Sequence, residues 1–231
     1  MTAPIEMNVL VVDDEPLMRF HLQKSLNELW EDAPALEANF RRLYGLESAH
    51  RIEQEIVDGK GTRGPLGILN GECLITVAAE SGQTAATVTA GNLLAMWSRM
   101  WEPSRKRAVW IVNGDVEEQL GQAKLATGTA LAQIIGFSSE GLTVMGRPVI
   151  PTEYNPTLGS AGDVILADLS QYLVGDRSTV ADRSIHMKFL TDESAFRFSV
   201  RVDGSPAWFS PITPKNSTTT RSPFVTLEAR E

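Results

Sequence analysis

Apolar residues recur every three or four positions in four stretches of the chain, and this spacing predicts four helices. The helices span about residues 16–28, 31–58, 90–101 and 116–124. The second is the longest: Asp32 is its predicted N-cap, Pro34 lies in its first turn and Gly59 follows its end. Its length is typical of a strut, and two shorter helices broken at Gly45 are the alternative.

Short apolar runs between the helices predict β-strands. The continuous run 108–112 indicates a buried strand, because a strand covered on both faces needs no polar alternation. Further strands are predicted at 74–78, 141–145, 147–150, 163–175 and 224–227. Residues 184–189 and 195–202 alternate apolar and polar side chains, which predicts a long antiparallel ribbon with an exposed edge. Helices mixed with these strands predict an α+β fold.

The opening of the chain carries the first candidate chemistry. An apolar run at 8–12 precedes Asp13 and Asp14, and a helix follows, so the pattern is strand, acidic turn, helix. Carboxylates at the carboxyl end of a buried strand can hold Mg²⁺ for phosphoryl transfer. Residues 1–30 resemble the start of a response-regulator receiver domain. An alternative function is therefore a phospho-switch protein that uses Asp13 and Asp14 with an unusual output domain.

A working receiver also needs a phosphoacceptor Asp, a Thr or Ser, and a Lys, each placed after an apolar strand. Asp58 lies at a suitable distance from Asp13 but follows a charged helical stretch. Thr76 and Lys106 are the candidates for the other roles, yet Lys106 precedes the strand 108–112. The other interpretation of Asp13 and its neighbour is an acidic turn at a helix N-terminus, which the helix dipole favours.

Composition and charge predict a soluble globular protein that does not grip nucleic acid. The net charge is −8, and residues 1–58 hold 12 acidic against 5 basic side chains. Phosphate contacts need Lys and Arg in excess, so enclosing DNA is compatible with this balance but electrostatic gripping is not. No apolar run reaches the ~20 residues of a membrane span, and no signal peptide precedes Asp13, which predicts a cytosolic origin. Cys73 is the single cysteine and permits no internal disulfide.

The sequence shows no pattern of catalytic or metal-binding residues. The histidines His21, His50 and His186 fall in different predicted elements, without Cys, Asp or Glu at ligand spacing. The glycine-rich segment 59–69 has its Lys ahead of the glycine, which is not the order of a phosphate-binding loop, and it predicts a turn rich in positive-φ glycines. We therefore predict neither an enzyme nor a cofactor.

Seven segments in a fixed order carry a second resemblance. They are the strut 31–58, the turn 59–69, the helix 91–101, the strand and turn 109–113, and the segments 142–149, 162–172 and 196–204. Together, over about 200 residues, they resemble the major capsid proteins of tailed bacteriophages with the Hong Kong 97 fold.

That resemblance implies how the chain is organised. Residues 31–231 would form the capsid body, with a spine helix at 31–58 and an axial domain at about 85–175. A peripheral ribbon would follow at about 176–210, with a last strand at 223–228. Residues 1–30, in the place of the family's N-terminal arm and extended loop, would be a fragment without its own sheet, joined by gene fusion, by a mispredicted start or by a sequence artefact.

The resemblance also implies a function. Many copies would tile hexamers and pentamers into an icosahedral shell around phage double-stranded DNA, made in the bacterial cytoplasm and ending in the virion. Portal and scaffolding proteins would be further partners, and no membrane would be involved. Some relatives cross-link a loop Lys to an Asn, but no segment here matches that loop and Asn216 lacks a matching context, so cross-linking is not implied.

Overall fold

The structure is a computed structural model that describes residues 33–62, 64–125, 134–139, 141–184 and 195–230. The chain divides into two compact units. The first unit comprises Met1–Ile52 with Gly175–Asp203, and the second comprises Glu53–Val174 with Gly204–Glu231. The receiver-like segment and the predicted helix at 16–28 lie outside the described residues.

Helix α1 runs without a break over Ala33–Asp58. The predicted strut is therefore confirmed over the described residues, and the alternative break at Gly45 is wrong. The helix ends at Asp58, and the N–H of the following Gly59 donates a 2.8 Å hydrogen bond to the Glu55 carbonyl. A Cβ at Gly59 would collide with the carbonyl oxygens of Glu55 and Pro65. Glycine is needed here because two backbone segments approach closely, whereas Gly61 has a positive φ of 67°.

Seven strands form a mixed sheet in the second unit, in the order β1-β9-β6-β2-β5-β4-β3. The strands are β1 Ile75–Val77, β2 Val109–Asn113, β3 Ile135–Ser138, β4 Gly141–Val144, β5 Arg147–Thr152, β6 Val164–Ala167 and β9 Phe224–Leu227. Strand β2 is parallel to β5 and antiparallel to β6, while β1 is parallel to β9. Strands β4 and β5 join through Met145 and Gly146, whose φ values of 50° and 72° suit a two-residue hairpin turn.

Two helices cover one face of this sheet, α2 at Ala90–Arg99 and α3 at Gly114–Leu125. Thr89 caps α2 with a capping box, since its side chain accepts from the Asn92 N–H and the Asn92 side chain accepts from the Thr89 N–H. The core between helices and sheet includes Leu93, Met96, Trp110, Leu120 and Leu166. Trp110 is 1% exposed, and its indole N–H donates to the Val144 carbonyl at 3.1 Å.

The other face of the sheet carries a second apolar cluster. Its buried members are Val57, Ile68, Cys73, Ile111, Ile165, Ala167, Tyr172 and Phe224. Because neighbouring strand residues point to opposite faces, Trp110 and Ile111 belong to different clusters. Both faces of β2 are thus apolar, as the continuous run 108–112 predicts.

The ribbon consists of β7 Tyr172–Ser184 and β8 Ala195–Pro206, which form a separate two-stranded sheet. The prediction placed its first strand at 184–189; residues 185–194 lie outside the described part of the chain, and the described strand begins at Tyr172. The predicted strand region 163–175 is also wrong as one element. It divides into β6, the short 3-10 helix Leu169–Gln171 and the start of β7, because Asp168 bonds the Ser170 N–H and turns the chain.

The last strand also differs from its predicted place. Strand β9 lies inside the seven-stranded sheet, between β1 and β6, and not with the ribbon. Strand β3 was not predicted at all, because Ile135–Ser138 is short and contains Gly136. Local pattern locates strands, but only pairing decides which sheet they join.

Candidate functional site

The residues that a receiver would need do not come together in the described part of the chain. Asp13 and Asp14 lie outside it. Asp58 ends α1, and its carboxylate accepts a 3.1 Å hydrogen bond from the Asn70 side chain, which ties the helix end to the 3-10 helix Ile68–Asn70. Lys106 precedes β2, as the sequence indicates. Among the described residues, no three His, Cys, Asp or Glu side chains are grouped so as to hold a metal ion.

Strand directions gather charged residues at two opposite ends of the seven-stranded sheet. The starts of β2, β5 and β9 lie beside the end of β6, since Val109 is level with Ala167 and Ala167 with Phe224. We call this edge the basic end. It carries Arg99, Arg105, Lys106, Arg107, Arg147 and Arg221, together with Glu72, Glu102 and Asp168.

Hydrogen bonds fix several side chains of the basic end. Arg147 donates to the Lys106 carbonyl at 2.5 Å, and Arg107 forms a 3.2 Å ion pair with Asp168. Arg221 pairs with Glu102. Arg99 donates to the carbonyl and hydroxyl oxygens of Thr220 at 2.8 and 2.7 Å. The guanidinium groups are therefore held in place, which lowers the entropy cost of a further contact.

Asp168 anchors this arrangement. Its side chain is fully buried, and it accepts hydrogen bonds from the Ser170 N–H and hydroxyl at 3.1 and 2.7 Å. Burial acts to raise the pKa of Asp168, but its hydrogen bonds, among them those from Ser170 and Arg107, outweigh this effect, so the pKa lies below its usual value. Asp168 is a structural carboxylate that stays charged.

The other edge of the sheet, where β1, β2, β5 and β9 end, we call the acidic end. It carries Glu80, Asp115, Glu117, Glu118, Glu153, Asp163 and Glu228. The described residues of this end include one cation, Arg230, which is buried and pairs with Asp163. The first turn of α3 holds Asp115 and Glu117, where the helix dipole favours negative charge.

Buried polar groups organise the loop at the acidic end. The Asn155 side chain donates to the carbonyls of Ile111 and Gly162 at 3.4 and 2.9 Å, and Asn113 donates to the Asn155 carbonyl at 3.0 Å. Asp163 accepts from the Gly159 N–H at 2.9 Å. These bonds hold residues 153–163 against the end of β2 and the start of β6.

A groove of about 850 Å³ opens on the face of the sheet that α2 and α3 do not cover. It is lined mainly by apolar side chains, among them Ile56, Ile68, Ile111, Ile150 and Leu169. At its rim, the Tyr154 hydroxyl donates a 3.0 Å hydrogen bond to Glu53. Ile150 and Leu169 are 41% and 43% exposed, so the groove presents an exposed apolar surface of the kind that is found at protein–protein contacts.

Neither end of the sheet was found from the sequence. The sequence did contain a signal for the two charged ends. Three basic residues, Arg105 to Arg107, precede the strand 108–112, and the carboxylates Asp115, Glu117 and Glu118 follow it. Arg147 and Arg221 join the basic end only through strand order, which local periodicity does not encode.

Comparison with solved structures defines the class of protein. The fold is similar to that of a chain in a structure described as "Capsid of empty GTA particle computed with C5 symmetry", with a TM-score of 0.67 at 16% sequence identity. That likeness covers 88% of this chain and 68% of the other. A chain of the structure "Capsid of native GTA particle computed with C5 symmetry" matches with a TM-score of 0.61, also at 16% identity, over 88% and 69% of the two chains. The chain thus has an α+β phage capsid fold.

The sequence shows which family this is. The profile of the phage capsid family matches residues 22–216, so the chain belongs to that family and is a structural capsid protein. No curated protein sequence matches the chain. None of its described helices is both long and apolar enough to cross a membrane.

The comparisons support the capsid resemblance and give no support to the receiver resemblance of residues 1–30. The family match begins at residue 22, inside the segment that was assigned to the receiver. The match therefore includes residues 22–30 of that segment.

Proposed function

We propose that this chain is the shell-forming subunit of a phage head, which assembles as hexamers and pentamers into an icosahedral shell around double-stranded DNA. The observation that carries the proposal is the family match over residues 22–216, which spans most of the chain. The similar folds found in assembled particles support it. Closed shells of identical subunits require surfaces that bind other copies, and the charged ends and the apolar groove are surfaces of that kind.

The proposed parts of the subunit follow from its elements. Helix α1 would be the spine helix, and the β7–β8 ribbon would form the peripheral domain. The seven-stranded sheet with α2 and α3 would be the axial domain, which then includes β1 and β9 in addition to residues 85–175. The capsid body would start at or before residue 22.

The charge of the chain fits a container for DNA. A net charge of −8 disfavours tight binding to phosphates, so the shell would enclose DNA without specific contacts. The subunit would be made in the bacterial cytoplasm and end in the virion, with portal and scaffolding proteins as partners. It would act by assembly and not by catalysis.

Light scattering after size exclusion, followed by negative-stain imaging, tests this function on the purified full chain over a series of concentrations. We expect rings of six or five subunits, or closed shells, and a fraction of assembled protein that rises with concentration. The control is the same chain unfolded in denaturant, which should give monomers only. A folded chain, with native circular dichroism, that stays monomeric at every concentration would contradict the proposal.

A further inference from the structure

We propose that neighbouring copies of this chain contact one another head to tail, with the basic end of one seven-stranded sheet against the acidic end of the next. This inference rests on the proposed self-assembly and adds to it the residues that join the copies. It starts from the unequal charge of the two ends, which the sheet topology creates.

The basic end has a surplus of positive charge. Its six Arg and Lys side chains face three carboxylates, one of them the buried Asp168. Lys106 and Arg107 are exposed, and Arg147 is half-buried. Arg147, at the start of β5, donates to the backbone of Lys106, just before β2, so these two cations belong to one surface.

The acidic end has the opposite surplus. Apart from the internal pair of Asp163 with Arg230, its described charges are all carboxylates. Asp115 and Glu118 are exposed and Glu117 is half-buried at the start of α3, and Glu228 is exposed after β9. This surface complements the basic end in charge.

The two ends cannot neutralise each other within one subunit. They are separated by the five residues of β2, which span roughly 17 Å at about 3.3 Å per residue. The Debye length in physiological salt is only about 8 Å. The charge of each end is therefore not offset by the other end and can attract an external partner.

The arrangement also selects the symmetry of the contact. A two-fold contact through either end would place like charges opposite each other, which is costly. A head-to-tail contact pairs opposite charges and is heterologous, and such a contact closes into a ring when its rotation is suitable. Because three carboxylates are interspersed among the cations of the basic end, a protein partner fits this surface better than a phosphate backbone.

Charge reversal tests the contact. The variant Lys106→Glu with Arg147→Glu places two glutamates where the basic end meets the acidic end of the next copy, and the variant Glu117→Lys with Glu118→Lys places two lysines where the acidic end meets the basic end of the next copy. We expect each alone to lose assembled protein by at least about tenfold, since like charges then meet at every contact. The control variant Lys60→Glu with Lys215→Glu carries the same change in net charge as the first variant, at lysines that are not among the residues assigned to either end, and it should assemble like the native chain.

Mixing the two variants gives the sharper result. Equal amounts should restore rings when the two variants alternate, because the two glutamates of one variant then face the two lysines of the other, and the two unchanged ends also face each other. Alternation requires an even number of subunits, so six-membered rings should return but five-membered rings and closed shells should not. A single chain that carries all four substitutions should restore both ring types.

Three outcomes would overturn the inference. Native assembly of both variants would show that the ends do not meet. A loss of assembly that neither mixing nor the fourfold variant restores would show that the substitutions damage the subunit and do not act through charge complementarity. Normal assembly of the Lys106→Glu, Arg147→Glu variant with weaker retention on immobilised double-stranded DNA would show that the basic end faces nucleic acid. Failure of the unmodified chain to assemble would instead count against the proposed function.

Discussion

Arg230 places its guanidinium group against the carboxylate of Asp163, and both side chains are at most 1% exposed. The same guanidinium donates to the carbonyl oxygens of Thr87 and Glu228 at 2.7 and 3.0 Å. Three separate segments of the acidic end therefore meet at one cation: the loop before α2, the loop before β6 and the residues after β9. Within the loop before β6, Asp163 also accepts a hydrogen bond from the Gly159 N–H.

We predict that Arg230→Met destabilises the chain by about 3–5 kcal/mol, because it leaves the Asp163 carboxylate buried without its partner. The free energy of unfolding from urea titration, followed by circular dichroism, measures the loss. Adding Asp163→Leu to Arg230→Met should recover much of it, since no buried charge remains. The control is Lys215→Met at an exposed position, and a loss below about 1 kcal/mol for Arg230→Met would mean that the pair contributes little.

The lowered pKa of Asp168 predicts a loss of stability in acid. A group whose pKa is lower in the folded state stabilises it fully above its unfolded value of about 3.9, and this contribution disappears as the pH falls through the folded pKa. Unfolding free energies measured from pH 6 down to about pH 2 should fall less steeply for Asp168→Asn than for the native chain. Parallel curves for the two proteins would contradict this role of Asp168.

Cys73 should be unreactive in the folded chain. Its side chain is fully buried, and burial raises the pKa of the thiol, so little thiolate forms near neutral pH. We expect negligible labelling by a thiol reagent at pH 8 in buffer and full labelling in denaturant. Cys73→Ala serves as the blank, and rapid labelling of the native chain would show that Cys73 is exposed by local opening.

Features that depend on local sequence could be predicted, whereas features that depend on pairing with distant residues could not. Helix α1 and strand β2 follow from local apolar periodicity, and both were predicted to within about two residues. Helix α2 was predicted to continue to Trp101, but Met100 adopts an extended conformation and pairs with Ser222 instead. A distant partner ended that helix, and local periodicity contains no such information.

The same limit applies to the charged ends. Lys106 and Arg147 are 41 residues apart in sequence and meet because β5 lies beside β2. The position of β9 in the sheet likewise depends on pairing with β1 and β6. Predicting the surface would have required the sheet order first.

Two glycines near α1 should respond to the same substitution in opposite directions. Gly45 lies in the middle of the helix, and a Cβ there would meet no atom within 4 Å. Gly45→Ala should therefore stabilise the helix by about 0.5–1 kcal/mol, because alanine loses less backbone entropy on folding. At Gly59 a Cβ would collide with the backbone oxygens of Glu55 and Pro65, which are not free to move. Gly59→Ala should destabilise the chain by about 1–3 kcal/mol, the range of an overpacked site.

Urea titrations of the two variants side by side measure the sign of each change in unfolding free energy, and each variant is the control for the other. If both substitutions stabilised the chain, Gly59 would not lie in close contact with the backbone of Glu55 and Pro65 in solution. If both destabilised it, α1 would not be a continuous helix through Gly45 in solution.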